Sequence, residues 1–259
     1  MRPGRDPTQR FSGRADDYAR HRPGYPPDLL RAIAREAALS ERSAVADIGS
    51  GTGISTELLL GRGCTVFAVE PNQEMRARAE RRLAARAGFV SVRGSAERTT
   101  LPDASVDLVA AGQAFHWFDR ERARQEFRRI LRPPGWVALF WNSRRADTPF
   151  LAAYEALLQR FAVDYREVNH ERVGSAEIAA FLGGPPLERS FPNEQALDWD
   201  GLRGRLLSSS YAPPAGHPDH APMLVELRRT FDAHAEGGRV RMLYDTRLYL
   251  GRQGGDGDR

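Results

Sequence analysis

The sequence predicts an α/β protein built on a doubly wound, mostly parallel sheet, and three features predict it. Short apolar runs alternate with amphipathic helical segments from about residue 28 to residue 142. The first run turns into a helix through a glycine-rich stretch, Asp47-Ile48-Gly49-Ser50-Gly51-Thr52-Gly53. An acid, Glu70, closes the second run. Apolar strands linked by helices need cover on both faces, which is the habit of parallel sheets. Right-handed crossovers then wind the sheet in both directions.

The elements follow in order. Residues 1–10 are polar and carry Pro and Gly, and are expected to fray. A short helix over Phe11–His21 is stopped by Arg22-Pro23-Gly24-Tyr25-Pro26-Pro27. Asp28 is expected to cap the next helix, LLRAIAREAAL, whose apolar residues keep helical spacing. Ser43–Ile48 is the first strand, STELLL the first crossover helix, and CTVFAVE the second strand. Pro71-Asn72 opens an arginine-rich helix, and FVSVRG and SVDLVAAG are the third and fourth strands. Asp119 caps a helix through Leu131, Pro133-Pro134-Gly135 stops it, and WVALFWN is the fifth strand.

Beyond Asn142 the pattern changes. Residues 148–183 read as helices inserted after the fifth strand. LERSFPNEQALDW is strand-like despite Pro192, two helical stretches cover about 199–209 and 219–235, and VRMLYDTRLYLG is a final strand. Seven strands result. The organisation expected is an N-terminal segment 1–27 covering the ligand site, a core 28–147, a helical insertion or cap 148–186, a part 187–250 completing the sheet, and a disordered tail 251–259.

Composition narrows the function. All 38 Lys-plus-Arg residues are arginine, against 34 acids, giving a net charge of +4. Arginines alternate with acids, as in EMRARAERRLAARA, so the pattern is one of solvated helix faces rather than a nucleic-acid stripe. No apolar run approaches the ~20 residues of a membrane helix, and MRPGRDPTQR has no apolar signal core. A cytoplasmic enzyme, monomeric or homodimeric, with no membrane or nucleic-acid partner is expected. One cysteine, Cys64, excludes an internal disulfide, and the six histidines show no metal-ligand spacing. No metal is expected.

The glycine loop carries the chemistry. Glycines at a strand-to-helix turn allow positive φ and close approach of backbone to a ligand. In open α/β sheets that crevice is the ligand site. Glu70 can accept hydrogen bonds from both hydroxyls of a ribose. An adenosine cofactor is therefore expected, and two compete. A dinucleotide loop reads G-x-G-x-x-G, but Ile54 stands where its third glycine belongs. The loop is instead G-x-G-x-G with Asp47 ahead of it, and Asp47 suits an ammonium, such as that of S-adenosylmethionine (SAM), directly or through water.

VADIGSGTG resembles the first motif of class I SAM-dependent methyltransferases. The likeness is greatest to the small-molecule type 11 branch, which includes proteins similar to trans-aconitate methyltransferase. Further agreement lies in Phe11…Ala15…Tyr18…Arg22-Pro23…Tyr25-Pro26, in Gly94-Ser95-Ala96-Glu97…Leu101-Pro102 and in Gln113-Ala114-Phe115-His116-Trp117-Phe118. The resemblance implies a Rossmann-like sheet and SAM as methyl donor, with S-adenosylhomocysteine as product. It implies that Asp47, Gly49, Ser50, Gly51 and Gly53 line the methionine part, Glu70 and Pro71 the ribose, and Ser95, Ala96 and Glu97 the adenine. Many relatives have Asp where this chain has Ser95. Gln113 sits beside the methionine moiety, and Tyr18 and Arg22 close over the cofactor, Arg22 meeting its carboxylate.

The acceptor is less legible. His116 is a candidate to orient it or take its proton, and a packing role between Phe115 and Trp117 competes. Phe11, Tyr25 and Trp117 are candidate walls, and Asn142, Arg144 and Arg145 candidate contacts, an arginine pairing with an acidic acceptor. The expected reaction is in-line methyl transfer to oxygen, nitrogen or carbon of a small molecule, acidic or natural-product-type metabolites among the candidates. Three other readings fit the same residues: a SAM-binding protein without transfer activity, a nucleotide-dependent oxidoreductase, and a methyltransferase acting on RNA or protein.

Overall fold

In the computed structural model the described residues are 20–163, 165 and 174–253. They form one seven-stranded sheet in the order β3-β2-β1-β4-β5-β7-β6. The strands are β1 (Ala44–Ile48), β2 (Thr65–Val69), β3 (Phe89–Val92), β4 (Val106–Gly112), β5 (Leu131–Arg144), β6 (Leu187–Leu197) and β7 (Val240–Gln253). The first five pair in parallel, and β7 runs antiparallel to both β5 and β6. This is the doubly wound, mostly parallel sheet that the sequence predicts. The chain order reverses between β1 and β4, so a crevice opens at their carboxyl ends.

Among the described residues the helices are α1 (Pro27–Glu36), α2 (Ile54–Leu60), α3 (Gln73–Leu83), α4 (Arg120–Ile130), α5 (Pro149–Phe161), α6 (Ser175–Leu182), α7 (Trp199–Leu207) and α8 (His220–His234). None is long and apolar enough to cross a membrane. The caps follow local chemistry. Asn72 accepts from Met75 N at 3.0 Å and starts α3, and Asp119 accepts from Arg122 N and starts α4. Asp28 is a correction: α1 begins at Pro27 with Pro26 at its cap, because a proline suits the first helical position. Asp28 instead pairs with Arg31 one turn on.

Period-two alternation divides the core. Leu108, Ala110, Ala138 and Phe140 pack on one face with Leu29, Ile33 and Leu59. Val109, Ala111, Val137 and Leu139 pack on the other with Phe115, Phe127 and Phe181. Phe127 and Phe140 are fully buried. Each such side chain contributes about 1.5–3 kcal/mol relative to an exposed one. Cys64 is buried as packing. Of the helices after β5, α6 puts Ile178, Phe181 and Leu182 into the second of these faces. By contrast, α5 joins α7 and α8 in a third cluster around Tyr154, Leu206, Leu227 and Tyr244.

Pro192 lies in β6, the edge strand, where a missing N–H breaks no interior ladder. The final strand is longer than the sequence predicts. Gly251, Arg252 and Gln253, expected in a disordered tail, pair with Val137, Trp136 and Gly135.

Candidate cofactor and acceptor site

The loop after β1 turns sharply. Gly49, Gly51 and Gly53 have φ of +67°, +56° and +85°, values that glycine adopts without cost. At Gly49 a Cβ would lie 2.7 Å from the Cβ of Ala114, so the position also has no room for a side chain. Gly49 N and Ser50 N both donate to Val69 O, at 2.9 and 3.2 Å, which ties the loop to the end of β2.

Two buried carboxylates brace this loop. Asp47 is fully buried and accepts through Oδ2 from Ser55 Oγ at 2.7 Å and Thr56 Oγ1 at 2.6 Å. Among the described residues its Oδ1 is buried without a hydrogen-bond partner. Burial raises its pKa to about 6, against the lowering effect of the two hydroxyls. Glu70 accepts from Gly51 N at 2.9 Å and Asn72 N at 2.8 Å, one bond to each oxygen. Burial pushes its pKa up, the two amides and Arg76 pull it down, and Asp47 adds to the rise.

Beside the loop lies a cavity of about 360 Å³, within the range of ligand pockets. Gly49, Gly51 and Glu70 form one side, and Ser95, Ala96 and Glu97 another, with Pro71, Asn72 and Met75 between. Gln113, Trp117, Phe118 and Asp119 close it. Three carboxylates and no basic side chain appear among the described residues of this wall. The Ser95–Glu97 segment is held at its C-terminal side. Glu97 Oε1 accepts from Asp119 N at 3.0 Å, and Thr99 donates twice to Glu126 Oε1. Gln113, at the end of β4, has φ +58°, a strained value for a residue other than glycine. Its Nε2 donates to Asn142 O at 3.3 Å.

A second, smaller cavity of about 40 Å³ adjoins the loop, lined by Arg22, Pro23 and Tyr25 together with Gly49–Thr52, Ile54, Ser55 and Gln113. Tyr25 stacks edge-on against Phe140 at 4.9 Å. Gln195 Nε2 donates to His21 O at 3.1 Å, and Asn142 and Asn193 both donate to Gly24 O, at 3.0 and 2.8 Å. These bonds lay residues 21–25 across the carboxyl ends of β5 and β6.

Residues 46–139 match the family model for a methyltransferase domain. Over these residues the chain is similar to methyltransferase domains of the type 11 branch. A methyltransferase of Mycobacterium bovis, uncharacterised, is 42% identical over 144 residues, or 54% of this chain and 55% of that protein. A Saccharomyces cerevisiae protein named a probable S-adenosylmethionine-dependent methyltransferase is 34% identical over 129 residues, covering 48% of this chain and 43% of the relative. The chain thus spans about half the length of the curated relatives it matches. A solved structure of a protein named a type II methyltransferase, from Anaeromyxobacter dehalogenans, superposes with a TM-score of 0.68. It has 27% identity and covers 89% of this chain and 97% of that one. SAM is the cofactor of this family.

Of the expected cofactor residues, Gly49, Gly51, Glu70, Pro71, Ser95, Ala96, Glu97 and Gln113 line the larger cavity and Arg22 and Ser50 the smaller, whereas Asp47 and Gly53 line neither. Phe11 and Tyr18 lie outside the described residues. Trp117 and Phe118 reach the cavity wall, whereas His116 does not line it and its ring lies 4.6 Å from that of Trp117. Asn142 and Arg145, expected at the acceptor, are engaged elsewhere. The Asn142 amide is spent on Gly24 O, Thr246 and Asn193. Arg145 pairs with Asp147 on an exposed loop. Arg144 is nearly buried against Glu155, Tyr165 and Tyr154. Sequence reasoning missed Asn72, Met75 and Phe118 in the wall. It also missed the hydroxyls of Ser55 and Thr56 on Asp47, which α2 brings back one turn above the strand end. The run Ser55-Thr56, one residue past Gly53, was the available signal.

Proposed function

We propose that the chain transfers a methyl group from SAM to a small-molecule acceptor. The carrying observation is the charge of the cavity. Its wall presents Glu70, Glu97 and Asp119 and no basic side chain among the described residues, with Asp47 buried behind the loop. Such a site favours a cofactor of net positive charge over a pyrophosphate. The amide of Gly51, at the loop's crest, is committed to Glu70 rather than offered to a phosphate.

In this reading Asp47 balances the ammonium of SAM, Glu70 holds the ribose hydroxyls, and Ser95, Ala96 and Glu97 flank the adenine. Gly49 and Gly51 let the backbone approach, Gln113 sits at the methionine end, and Arg22 faces the carboxylate from the smaller cavity. Trp117 and Phe118 keep water from the donor. When bound, SAM supplies a methyl carbon on a sulfonium. The acceptor's lone pair forms the new bond to that carbon while the electrons of the carbon–sulfur bond remain on sulfur. The protein's share of the rate then comes mainly from alignment and exclusion of water.

The test has two stages. S-adenosylhomocysteine is expected to raise the melting temperature in a concentration-dependent way, and NAD is not. Methyl label from SAM is then expected in a small-metabolite fraction. Stabilisation by NAD alone, or label confined to RNA or protein, would overturn the proposal.

A further inference from the structure

The wall of the larger cavity that carries Ser95, Ala96 and Glu97 is a tight turn. Ser95 and Arg98 exchange backbone hydrogen bonds at 3.0 and 3.3 Å, which folds residues 95–98 back on themselves. Gly94 abuts Thr99 so closely that a Cβ there would lie 2.6 Å from Thr99 O. Residues 94–99 are thus tied into one piece, and Thr99 is its foot.

One helix holds that piece at two points. Near the crest, Glu97 Oε1 accepts from Asp119 N at 3.0 Å, at the start of α4. At the foot, Glu126 of the same helix accepts at Oε1 from Thr99 N at 2.7 Å and from Thr99 Oγ1 at 2.6 Å. Thr99 is fully buried, and the Glu126 side chain is 10% exposed. Arg129, one turn on, meets both oxygens of Glu126, Nε to Oε2 at 2.9 Å and Nη2 to Oε1 at 2.7 Å. Its Nη2 also donates to Leu101 O at 2.8 Å. Between these two anchors Thr100 stands at φ +67°, a conformation that persists only where its neighbours over-determine it. Burial alone would push the Glu126 carboxyl up, but the bonds from Arg129 and Thr99 outweigh it and hold the pKa at about 2. Phe118, in the cavity wall beside Asp119, packs edge-on against Phe127 of α4, with ring centres 6.1 Å apart.

We infer that Glu126, which lines neither described cavity, is the positioning residue for recognition of the cofactor's base, acting through Thr99 on the turn that faces it. This rests on the reading of the larger cavity as the SAM site. Hydrogen bonds to a base edge weaken steeply with distance and angle, so the turn that makes them must be held from behind. Glu126 is an ionised acceptor with four hydrogen bonds on it, and bonds to a charged group are about twice as strong as neutral ones. It ties the foot of the turn to the helix that also carries Asp119 and Phe127, so α4 sets the distance between the base-facing turn and the aromatic wall.

The experiment titrates the full chain with S-adenosylhomocysteine and with S-inosylhomocysteine, which keeps the ribose and amino-acid parts and exchanges adenine for hypoxanthine. The parent is expected to prefer adenine by at least about tenfold. In Glu126→Gln the amide nitrogen must oppose a donor on Thr99 or on Arg129, and the preference is expected to fall by at least about fivefold, through weaker binding of S-adenosylhomocysteine. A merely structural role would weaken both ligands alike and leave the ratio unchanged. Thr99→Val removes the hydroxyl donor at nearly the same volume and is expected to lower the ratio too, whereas Thr99→Ser keeps the donor and the ratio. Asp103→Ala removes the exposed partner of Arg129 and is expected to leave the ratio as it is. An unchanged ratio in Glu126→Gln overturns the inference, and if that variant does not fold, an unchanged ratio in Thr99→Val does so. A parent that binds both ligands equally also overturns it. A parent that binds neither overturns instead the cofactor reading.

Discussion

Glu70 and Gly51, nineteen positions apart, are joined by a hydrogen bond of 2.9 Å from the glycine amide to the carboxylate. The other oxygen of Glu70 takes the amide of Asn72. The residue proposed to hold the ribose therefore also sets the height of the glycine loop, so loop shape and cofactor binding depend on one side chain. In Glu70→Gln the amide nitrogen must face one of two backbone N–H groups. A loss of about 1–3 kcal/mol in stability is expected, read by urea denaturation, together with weaker S-adenosylhomocysteine binding. An unchanged denaturation midpoint would refute the bracing role.

Asp47 trades stability for binding. Its carboxyl is raised from 3.8 to about 6 in the fold, so the native state holds the proton more tightly than the unfolded chain. The contribution is therefore full below pH 3.8 and is lost as pH climbs to about 6, a change of about 3 kcal/mol. Asp47→Asn escapes this loss, and at pH 8 its melting temperature is expected to equal or exceed that of the parent. Its affinity for S-adenosylhomocysteine is expected to fall about tenfold or more, as the ammonium loses its counter-charge. In the parent the same affinity is expected to drop as pH falls below about 6. An Asp47→Asn protein that binds as tightly as the parent removes Asp47 from the site.

Two of the cavity-lining glycines, Gly49 and Gly51, separate backbone strain from crowding. Both have positive φ, but a Cβ at Gly51 meets nothing within 4 Å, whereas one at Gly49 meets Ala114 at 2.7 Å. Gly51→Ala is expected to cost about 1–2 kcal/mol, the penalty of a left-handed conformation. Gly49→Ala is expected to cost more, with overpacking adding about 1–3 kcal/mol. Thermal melts rank the two, and a reversed order would contradict the described contact.

Gln113 stores strain at the end of β4. With φ +58° it occupies a conformation that costs a residue other than glycine about 1–3 kcal/mol. Gln113→Gly relieves that strain and removes the bond to the Asn142 carbonyl, so stability is expected to stay level or rise. S-adenosylhomocysteine affinity is expected to fall. A clearly destabilised Gln113→Gly would show that its side-chain bond outweighs the strain.

Much of the sheet and the cofactor loop was legible because both are written locally. Gly49, Gly51 and Gly53 sit within five residues, Glu70 ends the adjacent strand, and apolar runs of fixed period mark the strands. What escaped is long-range or depends on small geometric preferences. Asp28 reads as a cap, but the fixed φ of Pro27 starts α1 two residues earlier. Asn142 reads as a ligand contact, yet its amide meets Gly24, Thr246 and Asn193, residues far apart in the chain. Arg205 looks in sequence like any helical arginine, yet in the fold it is buried and its Nε meets the Tyr244 hydroxyl of β7.

The bonds from Asn142, Asn193 and Gln195 to the backbone of residues 21–24 span 118, 169 and 174 positions. Arg22 reaches Ser208 across 186. During synthesis the glycine loop and Glu70 leave the ribosome long before their neighbours on β6 and α7 exist. A nascent chain ending near residue 150 already holds Asp47, Glu70 and Asn142, yet Asn193, Gln195 and Ser208, which complete the docking of residues 21–24, are still to be made. The pocket is thus finished from its last-made end, and its earliest-made segment is the last to settle.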